Sequence, residues 1–170
     1  MRQYLITSDE VSLLARGMSI HIEQEKIETC IRESEDIDIK PSLGDTLFID
    51  IQEHSEKYEL LMNGGVYEDR DGKHVMTGLK TALAYYAYAR LVKNGDGNVT
   101  RYGYVNKDDE YSSRPDTKER VMAYNDAFSI ADSYMKECLL YLKSHKSEYP
   151  LYKGEGGLKA NRTVFRIIGD

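Results

Sequence analysis

Between Val121 and Leu142 the residues Val121, Tyr124, Phe128, Ala131, Met135, Cys138 and Leu142 recur at alternating spacings of three and four. An α-helix turns once in 3.6 residues, so this spacing lines a single helical face and is incompatible with the two-residue alternation of a strand. Held for three heptads, it predicts a helix from Asp116 to about Ser144, on the order of 40 Å long at 1.5 Å per residue. A helix of that length needs a partner for its apolar stripe. The stretch "TALAYYAYARLV", Thr81 to Val92, supplies one.

That second pattern predicts a helix from about His74 to Lys93. Leu79, Leu83, Tyr86 and Arg90 fall near one face, while alanines at 82, 84, 87 and 89 occupy most other directions around the axis. Small residues let neighbouring helices approach closely, and bordering tyrosines bury a ring while wetting a hydroxyl. A base-stacking platform would need exposed rings set in basic surface, and only Lys80, Arg90 and Lys93 are near. Tyr85, Tyr86 and Tyr88 therefore read as core packing.

Upstream, Ser8 followed by Asp9 and Glu10 reads as a helix start, with a stop at Gly17. Ser19 can cap a second helix that presents Ile20, Ile27, Cys30 and Ile31 inward as far as about Glu33. "SEDIDIKPS" reads as acidic and irregular. Ser42 can cap a third helix with Leu43, Leu47, Phe48 and Ile51 inward, and a fourth runs from Ser55 through Leu61 to "NGG". Asp71-Gly72 in "GVYEDRDGKHVMTG" marks a turn between two short extended pieces. The polar connection from Asn94 to Pro115 is longer than compact domains ordinarily use. It reads as a hairpin with Val99, Arg101, Tyr102, Tyr104 and Val105 extended. "YPLYKGEGG" reads as a flexible break before the strand-like "ANRTVFRIIGD".

Charge narrows the functional classes. From Ser8 to Leu60 fourteen acids face five bases, whereas the remainder is nearly balanced. A general nucleic-acid surface needs the reverse, clustered Lys and Arg to replace phosphate counterions. No apolar run approaches the ~20 residues of a membrane span, and "MRQYLITSDEVSLL" carries no signal-peptide pattern. Cys30 and Cys138, each inside a helical pattern, read as two buried thiols.

Catalytic motifs are not found. His21, His54, His74 and His145 show no metal-ligand spacing. "NGDGNV" places Val99 and Val105 where a calcium loop needs Gly and Glu. "GEGG" lacks the Lys-Ser/Thr of a phosphate loop, no Gly-x-Ser-x-Gly elbow occurs, and no Asp or Glu sits in the apolar setting that acid catalysis requires. The expectation is a protein without catalytic residues, metal or cofactor. A small hydrolase would require Asp and Glu to converge in a pocket.

Two segments are left as interface candidates. One is the 94–115 connection, with Arg101, Tyr102 and Tyr104. The other is the tail after Gly157, with Arg162, Phe165, Arg166, Ile167 and Ile168. The tail can close on its own "GVYEDRDG" segment or add to a neighbouring chain's sheet edge.

"GLKTALAYYAYARLV", "NVTRYGYVNKDDEYS" and "KERVMAYNDAFSIADSYMKECLLYL", in that order, resemble the head–tail connector (adaptor or head-completion) proteins of tailed bacteriophages, particularly of the Bacteroides-phage type. The resemblance implies a mainly α, non-enzymatic virion protein. It implies a ring, commonly dodecameric, that joins portal to tail, and portal, tail or neighbouring connector proteins as partners, without sequence-specific nucleic acid or membrane. The expected architecture is a single-domain helical bundle over 1–157, with a long C-terminal helix, a small β-hairpin element and a protruding 94–115 loop, followed by an extended tail over 158–170. The competing class is an acidic helical protein-binding or regulatory module of a phage or mobile element.

Overall fold

The computed structural model describes residues 3–18, 22–94, 97–100, 103–106 and 117–154. The chain is mainly α. In order it forms α1 (Ser8–Leu14), α2 (Gln24–Ser34), a π-helical turn (Glu35–Ile39), α3 (Lys40–Leu43), α4 (Asp45–Glu53), a 3-10 turn (Ser55–Tyr58) and α5 (Glu59–Asn63). There follow β1 (Gly65–Asp69), β2 (Gly72–Met76), α6 (Leu79–Asn94), β3 (Gly97–Thr100), β4 (Gly103–Asn106) and α7 (Thr117–Ser144). The strands make two separate antiparallel hairpins, β1–β2 and β3–β4.

α7 starts and stops within a residue of its expected bounds. Its stripe enters the core at Phe128, Ala131, Met135, Cys138 and Leu142, joined by Ala127 and Tyr141, while Val121 and Tyr124 are only half-buried. It packs along α6, which is also touched by α1, α2 and α5. Eight α6 residues are buried, among them all four alanines and Tyr86. The Tyr86 ring meets Phe128 edge-on at 5.0 Å and its hydroxyl donates to Asp132 Oδ1 at 2.6 Å. Tyr85 meets Tyr134 at 5.6 Å, and Tyr88 packs against the core. The tyrosines serve packing, as the pattern predicts. Both cysteines are buried free thiols, and burial pushes Cys30 up to about 11 and Cys138 to about 12.

Several local expectations are corrected. α6 begins at Leu79, because His74 and Met76 belong to β2. Thr7, one residue before Ser8, caps α1. Its hydroxyl accepts from Glu10 N and its amide donates to the Glu10 carboxylate, a reciprocal capping box, and the helix ends at Leu14 rather than Gly17. Ser19, Ile20 and His21 lie outside the described residues, and α2 starts at Gln24. "SEDIDIKPS" is helical throughout. The π-turn buries Glu35 and Ile39, and Pro41 follows it near the start of α3. Ser42 donates to Asp38 O instead of capping α4, whose cap is Gly44. Leu43, Leu47, Phe48 and Ile51 are all buried, as expected. "YPLY" is no flexible break, since Tyr149 and Tyr152 are both buried.

The base of the first hairpin is a close backbone crossing. Gly64 (φ +79°) ends α5 and Gly78 (φ +99°) precedes α6. A Cβ on Gly78 would lie 2.5 Å from Gly64 N, and one on Gly64 would lie 2.4 Å from Thr77 O. Both conditions, left-handed φ and no room for a side chain, select glycine. Gly78→Ala is therefore expected to cost roughly 2–4 kcal/mol in urea unfolding, combining left-handed strain with overpacking. Gly17→Ala, where nothing lies within 4 Å, should stay within about 0.5 kcal/mol of the parent. Equal effects at the two positions would contradict the crossing.

Candidate functional site

Of the interface residues expected from the sequence, Tyr104 lies on β4, its backbone opposite Val99. Arg101, Tyr102, Arg162, Phe165, Arg166, Ile167 and Ile168 lie outside the described residues. The surface that the described residues do assemble is the β1–β2 hairpin and the end of α7 beneath it.

Strand alternation sorts the hairpin into two faces. Tyr67, Asp69, His74 and Met76 turn inward, while Val66, Glu68, Lys73 and Val75 turn outward. On the inner face Tyr67 stacks on His74 at 5.3 Å and meets Tyr141 and His145 of the α7 end at 4.9 and 5.5 Å. The aromatic chain continues from Tyr141 to Tyr149, with hydroxyls 2.9 Å apart, and then to Tyr58. The Tyr58 hydroxyl donates to Asp50, whose Oδ1 stands 3.2 Å from His54 Nδ1. Burial pushes the Tyr58, Tyr67 and Tyr141 phenols above their ordinary value.

At the hairpin's turn an open cleft of about 630 Å³ is lined by Glu68, Asp69, Arg70, Asp71, His145 and Glu148, among others. Acids do converge here. The amide of Asp71 at 2.8 Å, with His74 at 3.0 Å, holds the Asp69 carboxyl below the ordinary aspartate range. His145 Nδ1 stands 2.8 Å from Ser144 Oγ and 3.1 Å from the Tyr141 carbonyl. The Ser144 hydroxyl itself donates to the Tyr141 carbonyl at 3.0 Å. Among the described residues no group of three His, Cys, Asp or Glu is placed to hold a metal.

A second polar constellation lies inside the bundle, and it corrects the expectation that no carboxylate has an apolar setting. Glu35 is fully buried and accepts the Leu5 amide at 2.6 Å. Arg90, whose side chain is 11% exposed, pairs with Asp38, 7% exposed, at 2.7 Å and reaches Glu33 at 3.8 Å and Ser34 Oγ at 3.3 Å. The signal for it was an arginine on the same helical face as Leu79, Leu83 and Tyr86. A guanidinium there cannot be desolvated without a carboxylate opposite it.

The chain belongs to a family of unknown function, DUF6712, whose profile matches residues 39–162. The matched span takes in both hairpins, the cleft, α6 and α7. No curated protein and no solved structure matches the chain.

Removing one member of a buried ion pair strands the other. Arg90→Leu should cost about 3–5 kcal/mol in denaturant unfolding, and a loss under 1 kcal/mol would mean that the carboxylates are not desolvated. Asp50 gives a pH test. The hydrogen bond from Tyr58 holds its carboxyl below the ordinary range, so the unfolded chain binds the proton first as pH drops. The resulting stability is present at neutral pH and is lost as pH falls through the folded-state value. Tyr58→Phe should therefore destabilise the protein at neutral pH, and the gap to the parent should narrow in acid below pH ~4. A gap that widened in acid would contradict the assignment.

Proposed function

We propose that this protein is a structural virion subunit, part of a connector ring that joins portal to tail. The observation that carries the reading is the outer face of the β1–β2 hairpin. Val66 and Val75 stand directly opposite each other there, 64% and 74% exposed, on a sheet of only two strands. Paired apolar residues beside open strand edges are what a contact surface offers and what an isolated protein avoids. The resemblance of "GLKTALAYYAYARLV", "NVTRYGYVNKDDEYS" and "KERVMAYNDAFSIADSYMKECLLYL" to phage connectors supports the same reading. So does a hairpin-bearing connection between the two central helices, carrying Arg101, Tyr102 and Tyr104, because ring subunits need arms that reach a neighbour.

The regulatory-module reading draws on the acidic front half. Part of that charge is spent inside the fold, since Glu35 faces the Leu5 amide and Asp38 faces Arg90. Among the described residues no helix is long and apolar enough to cross a membrane.

The reading is tested by mixing the full chain with a portal protein from the same genome and examining the product by electron microscopy. Rings seated on the portal are expected, and loss of residues 160–170 should abolish seating while far-ultraviolet circular dichroism stays helical. A full chain that neither co-sediments with portal nor forms rings would overturn the reading.

A further inference from the structure

We propose that the β1–β2 hairpin is the acceptor for the tail of a second copy of this chain, residues 158–170 adding as a third strand to its open edge. The inference rests on the assembly reading and names the surface that carries it. Three observations converge on this occupant.

The first is the two-faced match. In "TVFRIIGD" Thr163, Phe165 and Ile167 fall on one side of an extended chain, and Arg162, Val164, Arg166 and Ile168 on the other. The hairpin is two-faced in the same sense. Val66 and Val75 lie outward, whereas Asp69 lies inward beside the cleft that Asp71 and Glu148 also line. A third strand set with Phe165 and Ile167 beside the valines places Arg162 and Arg166, with Val164 and Ile168, on the same side as Asp69.

The second is charge. Residues 158–170 carry Lys159, Arg162 and Arg166 against the single side-chain acid Asp170. The cleft carries Glu68, Asp69, Asp71 and Glu148 against Arg70 and Lys143. Opposite charge at the turn fixes the register of the added strand, a role charge performs better than adding affinity.

The third is where the described chain stops. It runs through Tyr149, whose ring meets Tyr141, which in turn meets Tyr67 on the inner face, and it reaches Gly154. The inner face is thus already filled by the chain's own α7. The open strand edge and the outer valines are what remains for an added strand, and the assembly reading assigns that strand to a neighbour. The eleven steps from Gly154 to Phe165 span at most ~36–40 Å, which is the reach open to the tail. Donor tail and acceptor hairpin are different surfaces, so the contact is head-to-tail, the type that closes rings.

Sedimentation equilibrium of the full chain, alone and as mixed variants, tests this. The parent should associate with rising concentration. Val75→Lys, at an exposed position, and Phe165→Asp should each raise the dissociation constant at least about tenfold. An equimolar mixture of the two should regain a dimer and nothing larger, because one variant keeps its tail and the other its hairpin. A monomeric parent, a Val75→Lys variant that associates like the parent, or a mixture that stays monomeric would each overturn the proposal. The wider reading fails separately. A parent that associates in this way and ignores portal would remove the connector role and keep the contact, while portal rings unaffected by Val75→Lys would keep the role and remove the contact.

Discussion

The structure depends on how closely other helices can approach α6. Ala82, Ala84, Ala87 and Ala89 leave no bulk on several sides of that helix, and α7, α2, α1 and α5 all pack against it. Close approach brings its own cost, since anything polar on α6 must be desolvated with its neighbours. Arg90 meets that cost through Asp38, Glu33 and Ser34. Tyr86 meets it through Asp132. At the opposite end Thr77, held to Glu137 of α7 by both its amide and its hydroxyl at 2.9 Å, fixes where the helix begins. The hairpin follows from that anchor, because its base is pinched between α5 and α6 where only glycine backbones fit.

What was legible in the sequence was whatever depended on periodicity. The α7 stripe, the α6 alanines and the inward set Leu43, Leu47, Phe48 and Ile51 are side-chain patterns matched to a helical period, and burial follows directly from them. What was not legible depended on partners distant in sequence. "SEDIDIKPS" reads as irregular because its charges seem to need water. It folds as helix because Arg90, over fifty residues away, and the Leu5 amide take Asp38 and Glu35 inside. The capping choice turned on a single neighbour. Thr7 and Ser8 both offer a hydroxyl, and only from Thr7 does Glu10 fall at the third helical position, able to bond back. "YPLY" looked like linker beside "KGEGG", yet Tyr149 fills a ring-lined gap between Tyr58 and Tyr141.

The candidate interface was legible only as a pair of segments that the helical core does not need. Most of those residues lie outside the described ones, and the structure adds a surface that sequence reasoning passed over. The signal was present. Val66 and Val75 flank the Asp71-Gly72 turn in positions that pair across a hairpin, and Tyr67 and His74 between them alternate to the opposite face. Reading both faces of the hairpin, rather than its turn alone, would have found the outward valines. The polar groups gathered beneath it hold one another, as Asp69 with His74 and Asp71 do.

Hydrogen exchange on the free chain and on the portal-bound chain tests the central claim most directly, that a helical core organised by α6 presents its hairpin to neighbours. The account predicts that α6 amides are among the slowest in both states and unchanged between them, while amides of residues 65–76 gain protection on assembly. Protection gained along the α6 and α7 faces, with residues 65–76 exchanging alike in both states, would contradict it.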